Sequence, residues 1–255
     1  AGKKMVLQVS TEDCTGCGVC VAVCPAKNKD NPALKAINMV HYTDEIRKNE
    51  AENWDYFARM PDADPATLNL ATPKGLALKR PLFEFSGACA GCGETAYVRL
   101  LSQMFGDRAI IANATGCSSI YGGNLPSTPY AKDASGRGPA WSNSLFEDAA
   151  EFGMGMCLTG DKLAQYAREK AEEAKNKGLA SDTLGKILAN EQLDDNAIAQ
   201  QRAYIDDLKK ELTKSSDPVA KELLSLTDHF IKRSHWIIGG DGWAYDIGFG
   251  GLDHV

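Results

Sequence analysis

Four cysteines near the beginning of the chain have the spacing of metal-binding thiolates. They follow the pattern C-x2-C-x2-C-x3-C and are Cys14, Cys17, Cys20 and Cys24. Spacers of two residues let three sulfurs reach one iron–sulfur cluster, while Gly16 and Gly18 leave the backbone free to fold around it. Zinc sites usually pair two C-x2-C knuckles across a longer gap and do not need the proline that follows here, Pro25. The pattern therefore predicts a 4Fe–4S cluster; a zinc knuckle and a set of reduced core cysteines are the alternatives.

The order of these cysteines resembles the iron–sulfur run of bacterial ferredoxins. In ferredoxins with two clusters, the first three cysteines of such a run bind one cluster and the fourth binds the other. The resemblance therefore implies that Cys24 reaches to a second cluster. Such a run normally occurs twice, and the other thiolates are missing from residues 1–45. We therefore expect this segment to be the second half of a two-cluster domain whose first half lies before Ala1.

A second group of cysteines lies in two glycine-rich turns. Cys89 and Cys92 form a C-x2-C that is followed directly by a predicted helix with Glu94 in its first turn, where the helix dipole favours a carboxylate. Cys117 comes 25 residues after Cys92, behind the strand-like segment RAIIANAT (108–115). Turns at strand ends form the rim of a parallel α/β sheet, and ligands bind at that rim. A structural zinc and a redox-active dithiol are the alternatives, although a dithiol leaves Cys117 unexplained.

A third candidate site follows the last predicted strand. The apolar segment HWIIGG (235–240) leads into Gly240, Asp241 and Gly242. An aspartate directly after a strand offers a hard oxygen ligand to Mg²⁺, and flanking glycines let backbone N–H groups approach phosphate oxygens closely. Taken as a bare tripeptide, this sequence is more often an ordinary turn.

The motifs acquire a more specific meaning when they are taken in order. CTGCGVCVAVCP, GACAGCGET, TGCSSIYGGNLPSTPY and GDGWAYDIGFGGLDHV together resemble the C-terminal part of pyruvate:ferredoxin oxidoreductases, most closely over residues 12–28, 84–130 and 236–255. The resemblance implies oxidative decarboxylation of pyruvate to acetyl-CoA and CO₂ with thiamine diphosphate, Mg²⁺ and coenzyme A. Electrons would pass through three 4Fe–4S clusters to ferredoxin or flavodoxin. The alternatives are another 2-oxo acid:ferredoxin oxidoreductase and a non-catalytic electron-transfer protein.

The resemblance also implies roles for individual residues. The ligands of the cluster nearest thiamine diphosphate would be Cys89, Cys92 and Cys117, and the cofactor contacts would be Glu94, Cys117, Gly240, Asp241, Gly242 and Trp243. Asp241 would bind Mg²⁺. The resemblance also implies a fourth cysteine ligand from a later segment. Cys157 is a possible local substitute, but its apolar and small neighbours are typical of a buried core thiol. No residue of the segment is assigned a catalytic role, and we expect no turnover by these residues alone because the metal motif ends at Val255.

The fold class predicted from these elements is α/β. Residues 1–45 are expected to form part of an α+β ferredoxin-like domain, and the polar, proline-containing segment 46–80 a linker on the surface. Residues 81–255 are expected to form the N-terminal part of a parallel-sheet domain that binds thiamine diphosphate, with a helical insertion at about 160–233. The predicted insertion helices are 161–178, 181–192 with Ser181 as N-cap, 195–215 and 217–234, and the predicted strands are MVLQVS (5–10), 108–115 and 235–240.

Composition narrows the possible partners and compartment. The net charge of −6 argues against nucleic acid, because phosphate binding needs clustered lysine and arginine. No apolar run approaches the roughly 18 residues that cross a bilayer, and the first residues lack the apolar part of a secretory signal. The eight cysteines form tight groups rather than a disulfide framework, so a reducing compartment, the cytoplasm, is expected. By family resemblance, the full-length chain is expected to be a homodimer.

Overall fold

The computed structural model of the chain describes residues 7–64, 67–124, 127–246 and 248–255. The chain divides into two compact units. The N-terminal unit comprises Ala1–Arg80 and Ala88–Val98, and the C-terminal unit comprises Pro81–Gly87 and Arg99–Val255.

The N-terminal unit has short helices and long irregular segments. Its helices are α1 (Val19–Val23), α2 (Asp44–Ala58), α3 (Pro73–Ala77) and the first turn of α4 (Glu94–Phe105). Of the predicted strand 5–10, Met5 and Val6 lie outside the described residues, and the remainder has no regular secondary structure.

The expected linker at 46–80 contains two helices rather than irregular chain alone. Helix α2 begins after Thr43, whose hydroxyl accepts a hydrogen bond from the Ile46 N–H, and two acidic residues in its first turn favour that start. None of its residues is buried, so α2 lies at the surface of its unit.

The C-terminal unit is built on a parallel sheet. Its strands are β1 (Ala109–Ala114), β2 (Ala140–Ser144) and β3 (Ser234–Ile238), and their order among the described residues is β2-β1-β3. Both strand pairs are parallel, which confirms the α/β class, and the register places Asn113 beside Asn143 on one side and Ile238 on the other. The predicted strands at 108–115 and 235–240 are confirmed, whereas β2 was not predicted.

Helices surround this sheet and form the insertion. They are α5 (Cys117–Gly122), α6 (Ala149–Asn176), α7 (Ser181–Ala189), α8 (Asp195–Leu212), α9 (Pro218–Leu226) and α10 (Asp241–Asp246), with 3₁₀ turns at Thr227–Phe230 and Gly248–Gly251. The predicted insertion begins at about residue 160, which lies within α6. This helix starts earlier, at Ala149, because its first, small and apolar residues pack on the sheet. Ser181 is the first helical residue and not the N-cap; Ala180 occupies that position with φ +44°.

The insertion helices share a core of their own. Alanines on α6 are fully buried in a cluster with residues of α7, α8 and α9, and their small side chains allow α7 and α9 to pack closely on α6. Within the described ranges, no helix combines the length and the apolar character required to span a membrane.

Candidate functional site

The first cysteine run surrounds α1 in the N-terminal unit. Gly16 and Gly18 adopt φ values of +69° and +74°, a left-handed backbone that glycine enters without steric cost. Gly18 is the N-cap of α1, and the chain leaves the helix at Cys24 in an extended conformation. The Gly16 N–H lies 3.4 Å from Cys14 Sγ and donates to it, which agrees with a backbone that directs N–H groups towards sulfur.

The thiols of this run are available as ligands. All eight cysteines of the chain are free; Cys14, Cys17 and Cys20 are exposed, and Cys24 is half-buried. Over the residues that the structure describes, no three His, Cys, Asp or Glu side chains converge as they would on a single metal ion. A 4Fe–4S cluster differs from a single ion because each of its irons binds one thiolate, so the four sulfurs lie farther apart. The thiols of this run are therefore suitable donors for iron–sulfur clusters.

Cys24 lies in surroundings that favour its thiolate. Hydrogen bonding from the backbone at Ala26 lowers the pKa of Cys24, and the backbone at Ala36 and Ile37 and the ammonium of Lys35 act in the same direction. A thiolate is the form that binds metal. Lys35 also holds the preceding helix, because its Nζ donates to the carbonyl oxygens of Val21 at 2.5 Å and Ala22 at 3.1 Å.

The Cys89–Cys92 segment forms a tight turn in the same unit. The Cys92 N–H donates to the Cys89 carbonyl oxygen at 3.0 Å, and Gly91, at φ +76°, supplies the left-handed residue of the turn. A β-carbon at Gly91 would lie 3.8 Å from Val19 Cγ2, so the turn lies against α1. Contrary to the prediction, no strand precedes this turn, since residues 84–88 are irregular.

Glu94 follows the turn as the first residue of α4. Its Oε1 is buried and has no hydrogen-bond partner among the described residues. Burial of a carboxylate oxygen without a partner is costly, so the arrangement suits a residue that meets a donor from a ligand. The predicted contact with thiamine diphosphate therefore fits the position of Glu94.

Cys117 lies in the C-terminal unit, at the end of the central strand. The chain leaves β1 through Thr115 and Gly116 and enters α5 at Cys117, which is exposed. Ser119 Oγ accepts from the Gly116 N–H at 2.8 Å, and Thr115 Oγ1 donates to the Ser144 carbonyl oxygen at 2.8 Å. Cys89 and Cys92 belong to the other unit, so the binding of one cluster by all three cysteines stays a prediction.

The Gly-Asp-Gly segment lies at the end of β3. Asp241 is exposed at the beginning of α10, and it offers one carboxylate for a metal ion. Trp243, which was predicted to contact the cofactor, is only 6% exposed and packs against Ala114 and Ala149 in the core. Its indole therefore supports the turn from beneath, and a cofactor contact by this residue stays a prediction.

Both turns leave the same edge of the sheet. Because β1 and β3 are adjacent and parallel, Cys117 and Asp241 follow the carboxyl ends of neighbouring strands, which is where α/β sheets bind ligands. The side chain of Asn113 lies between these strand ends. Asn113 was not predicted as a functional residue, although an amide within the apolar strand AIIANA was a signal for it.

The chain is similar to known iron–sulfur proteins and oxidoreductases. Residues 7–27 match the family model of the 4Fe-4S binding domain, so the first cysteine run belongs to an iron–sulfur domain. The whole chain is 54% identical to the pyruvate-flavodoxin oxidoreductases of Nostoc sp. and Trichormus variabilis, over 261 and 258 residues that make up 22% of each relative. It is 46% identical over 266 residues to the pyruvate:ferredoxin oxidoreductase of Moorella thermoacetica, again 22% of that protein. The chain thus corresponds throughout to a segment of these enzymes and spans about a fifth of their length, which confirms the resemblance seen in its motifs.

Proposed function

We propose that this chain is the part of a pyruvate:flavodoxin or pyruvate:ferredoxin oxidoreductase that connects the thiamine diphosphate site to the iron–sulfur clusters. One observation carries the proposal: Cys117 and Asp241 follow the carboxyl ends of the adjacent parallel strands β1 and β3. In this proposal the thiol would bind an iron–sulfur cluster and the carboxylate would bind the Mg²⁺ of thiamine diphosphate. Their position at one sheet edge suits an enzyme that transfers electrons between these two cofactors. The identity of 54% over the full chain supports the same assignment.

Two cofactors supply the chemistry in this proposal. Thiamine diphosphate, when bound with Mg²⁺, provides the electron sink for decarboxylation of a 2-oxo acid, and 4Fe–4S clusters accept single electrons. Asp241 would hold Mg²⁺, while Gly240 and Gly242 leave the backbone open beside the diphosphate. Glu94 would provide a carboxylate oxygen to the cofactor.

The cysteines determine the route of the electrons. Cys89, Cys92 and Cys117 would hold the cluster nearest thiamine diphosphate, with a fourth ligand from another part of the enzyme. The run at Cys14–Cys24 would hold one further cluster and contribute to a second. The acceptor would be flavodoxin or ferredoxin, and the substrates pyruvate and coenzyme A. We further propose that the full-length enzyme is a cytoplasmic homodimer, since reduced thiolates require a reducing compartment.

The experiment uses the full-length enzyme that contains this chain, purified without oxygen. We expect it to reduce flavodoxin or ferredoxin in the presence of both pyruvate and coenzyme A. Asp241→Asn should abolish this activity and weaken thiamine diphosphate binding, whereas Asp253→Asn, at an exposed aspartate that follows the last 3₁₀ turn, should change neither.

The iron content provides a second test. Cys117→Ser should remove about four irons per chain, whereas Cys157→Ser should leave the iron content unchanged. A native enzyme that binds iron but not thiamine diphosphate would contradict the proposal and favour an electron-transfer protein. Faster turnover of another 2-oxo acid would overturn the assignment of pyruvate.

A further inference from the structure

Asn113 is a buried polar residue in the middle of an apolar strand. Its side chain is fully inaccessible to solvent on β1. Nδ2 donates to Ser118 Oγ at 2.9 Å, to the Ile238 carbonyl oxygen at 3.2 Å and to the carbonyl oxygen of Ala114 at 2.9 Å. Oδ1 accepts from Trp141 Nε1 at 2.9 Å. Buried polar groups persist only when they are hydrogen-bonded, and this amide uses both of its ends.

Two of the surrounding groups require an amide at this position. The indole N–H of Trp141 can only donate, so it must face an acceptor, while the carbonyl oxygen of Ile238 can only accept and must face a donor. An aspartate of the same shape would direct a carboxylate oxygen at a backbone carbonyl. A leucine would leave the Trp141 N–H and the Ile238 carbonyl without a partner.

The partners of Asn113 are the residues next to the two proposed cofactor sites. Ser118 follows Cys117 directly along α5, and it is itself buried. Ile238 is the last residue of β3, immediately before the Gly239–Gly242 turn that carries Asp241. Trp141, on β2, anchors the amide from the third strand. One side chain on β1 thus hydrogen-bonds to both neighbouring strands of the described sheet, at Ile238 of β3 and at Trp141 of β2.

We propose that Asn113 is a positioning residue that keeps the Cys117 turn and the Gly239–Gly242 turn in one fixed relation. That this spacing matters for electron transfer rests on the proposed function. A cluster ligand and the Mg²⁺ ligand Asp241 would then keep their spacing through one buried amide, although neither of them contacts it.

A matched pair of substitutions tests the positioning without any cofactor. Asn113→Asp changes the buried amide, and Asn196→Asp makes the same change at an exposed residue of α8. We expect amide hydrogen exchange at residues 116–119 and 238–242 to be at least tenfold faster in Asn113→Asp than in the native enzyme. Asn196→Asp should leave both turns at the native rate. Native exchange rates in both turns of Asn113→Asp would overturn the proposal.

Two further variants separate positioning from general loss of stability. Ser118→Ala removes only the partner beside Cys117, so it should shift the midpoint potential of that cluster and leave the dissociation constant of thiamine diphosphate within twofold. Trp141→Phe removes only the anchor on β2, so it should lower the melting temperature and also leave this constant within twofold. Asn113→Asp should weaken thiamine diphosphate binding at least tenfold.

The outcomes distinguish this inference from the proposed function. Trp141→Phe and Asn113→Asp are compared at an equal loss of melting temperature. If both then lose the same affinity for thiamine diphosphate, Asn113 serves only the stability of the fold and the positioning role is overturned. A native enzyme without thiamine diphosphate, combined with the expected change in hydrogen exchange, would refute the proposed function and leave the positioning intact.

Discussion

The indole of Trp243 lies directly against the backbone of Gly239. A β-carbon at Gly239 would come within 2.3 Å of Trp243 Cε3, and one at Gly250 would come within 1.8 Å of its Nε1. The indole therefore lies between two chain segments that can approach it only because they carry no side chain. This contact supports the turn in which Asp241 is presented.

The glycines of this turn are expected to respond differently to the same substitution. Gly239→Ala forces its methyl group into Trp243 and should destabilise the native state by about 1–3 kcal/mol, in the range of overpacked cores. Gly240→Ala meets no atom within 4 Å, so it should leave the melting temperature unchanged. If Gly240 lets the backbone approach a diphosphate, its variant should still bind thiamine diphosphate more weakly. Thermal melting and cofactor titration of both variants test this, and equal melting temperatures for the two would contradict the packing argument.

Lys35 is expected to protect the first iron–sulfur site. Lys35→Met removes the donor to the carbonyl oxygens at the end of α1 and the positive charge that helps lower the pKa of Cys24. Iron release to a chelator should therefore be several-fold faster than in the native protein. The control is Lys29→Met at a nearby exposed lysine, which should release iron at the native rate. Equal rates in all three proteins would show that Lys35 does not support the site.

Arg108 is expected to contribute to the attachment of the helical insertion to the sheet. Its side chain is 10% exposed and donates to Asp107 at 2.9 Å and to Asp195, the first residue of α8, at 3.0 Å. Arg108→Met leaves these carboxylates with fewer partners and should lower the free energy of unfolding by about 2–3 kcal/mol.

The matched control for Arg108 is an exposed ion pair on α8, the helix that carries its partner Asp195. Lys210 and Asp207 are 72% and 60% exposed, so Lys210→Met should cost less than about 0.5 kcal/mol. Denaturant unfolding of both variants tests the difference. Similar losses in the two would show that burial does not determine the strength of the Arg108 pairs.

The contact between His254 and Glu151 is expected to make stability depend on pH. His254 Nδ1 lies 2.8 Å from Glu151 Oε1; this hydrogen bond raises the pKa of His254, with a further contribution from Asp253, and lowers the pKa of Glu151. The histidine contribution is complete below its ordinary pKa of 6.5 and is lost as pH rises through the raised value. The glutamate contribution is present above its ordinary pKa of 4.5 and is lost as pH falls through the lowered value.

The melting temperature of His254→Gln should therefore differ most from that of the native protein between pH 4.5 and 6.5. The difference should disappear in alkaline solution. His41→Gln, at an exposed histidine of the N-terminal unit, serves as the control and should show no such window. A difference that stays constant from pH 5 to pH 9 (about the range accessible to such proteins) would contradict a role for the charged pair.

Local patterns in the sequence were sufficient for many elements. The spacing of Cys14–Cys24 predicted an iron–sulfur site that the match to a 4Fe-4S binding domain confirms. Periodicity predicted α8 and the position of α9, and apolar runs predicted β1 and β3, because each signal lies within a short stretch of chain. The end of α9 was wrong, since the helix ends at Leu226 and a 3₁₀ turn follows it. The start of α6 at Ala149 and the strand β2 were missed. The residues of β2, AWSNS, have no apolar alternation, and they become a strand by pairing with β1.

The kinds of ligand and their order along the chain could be predicted from the amino-acid sequence, since side-chain chemistry and short spacings are properties of the covalent chain. Three features became visible only in the folded chain: Cys117 and Asp241 follow adjacent strand ends, Trp243 packs in the core, and Asn113 hydrogen-bonds to Ser118 and Ile238 beside the two turns. The hydrogen bond between Asn113 and Ile238 spans 125 residues. Such a contact forms only when distant strands pair, and no local pattern of residue types encodes it.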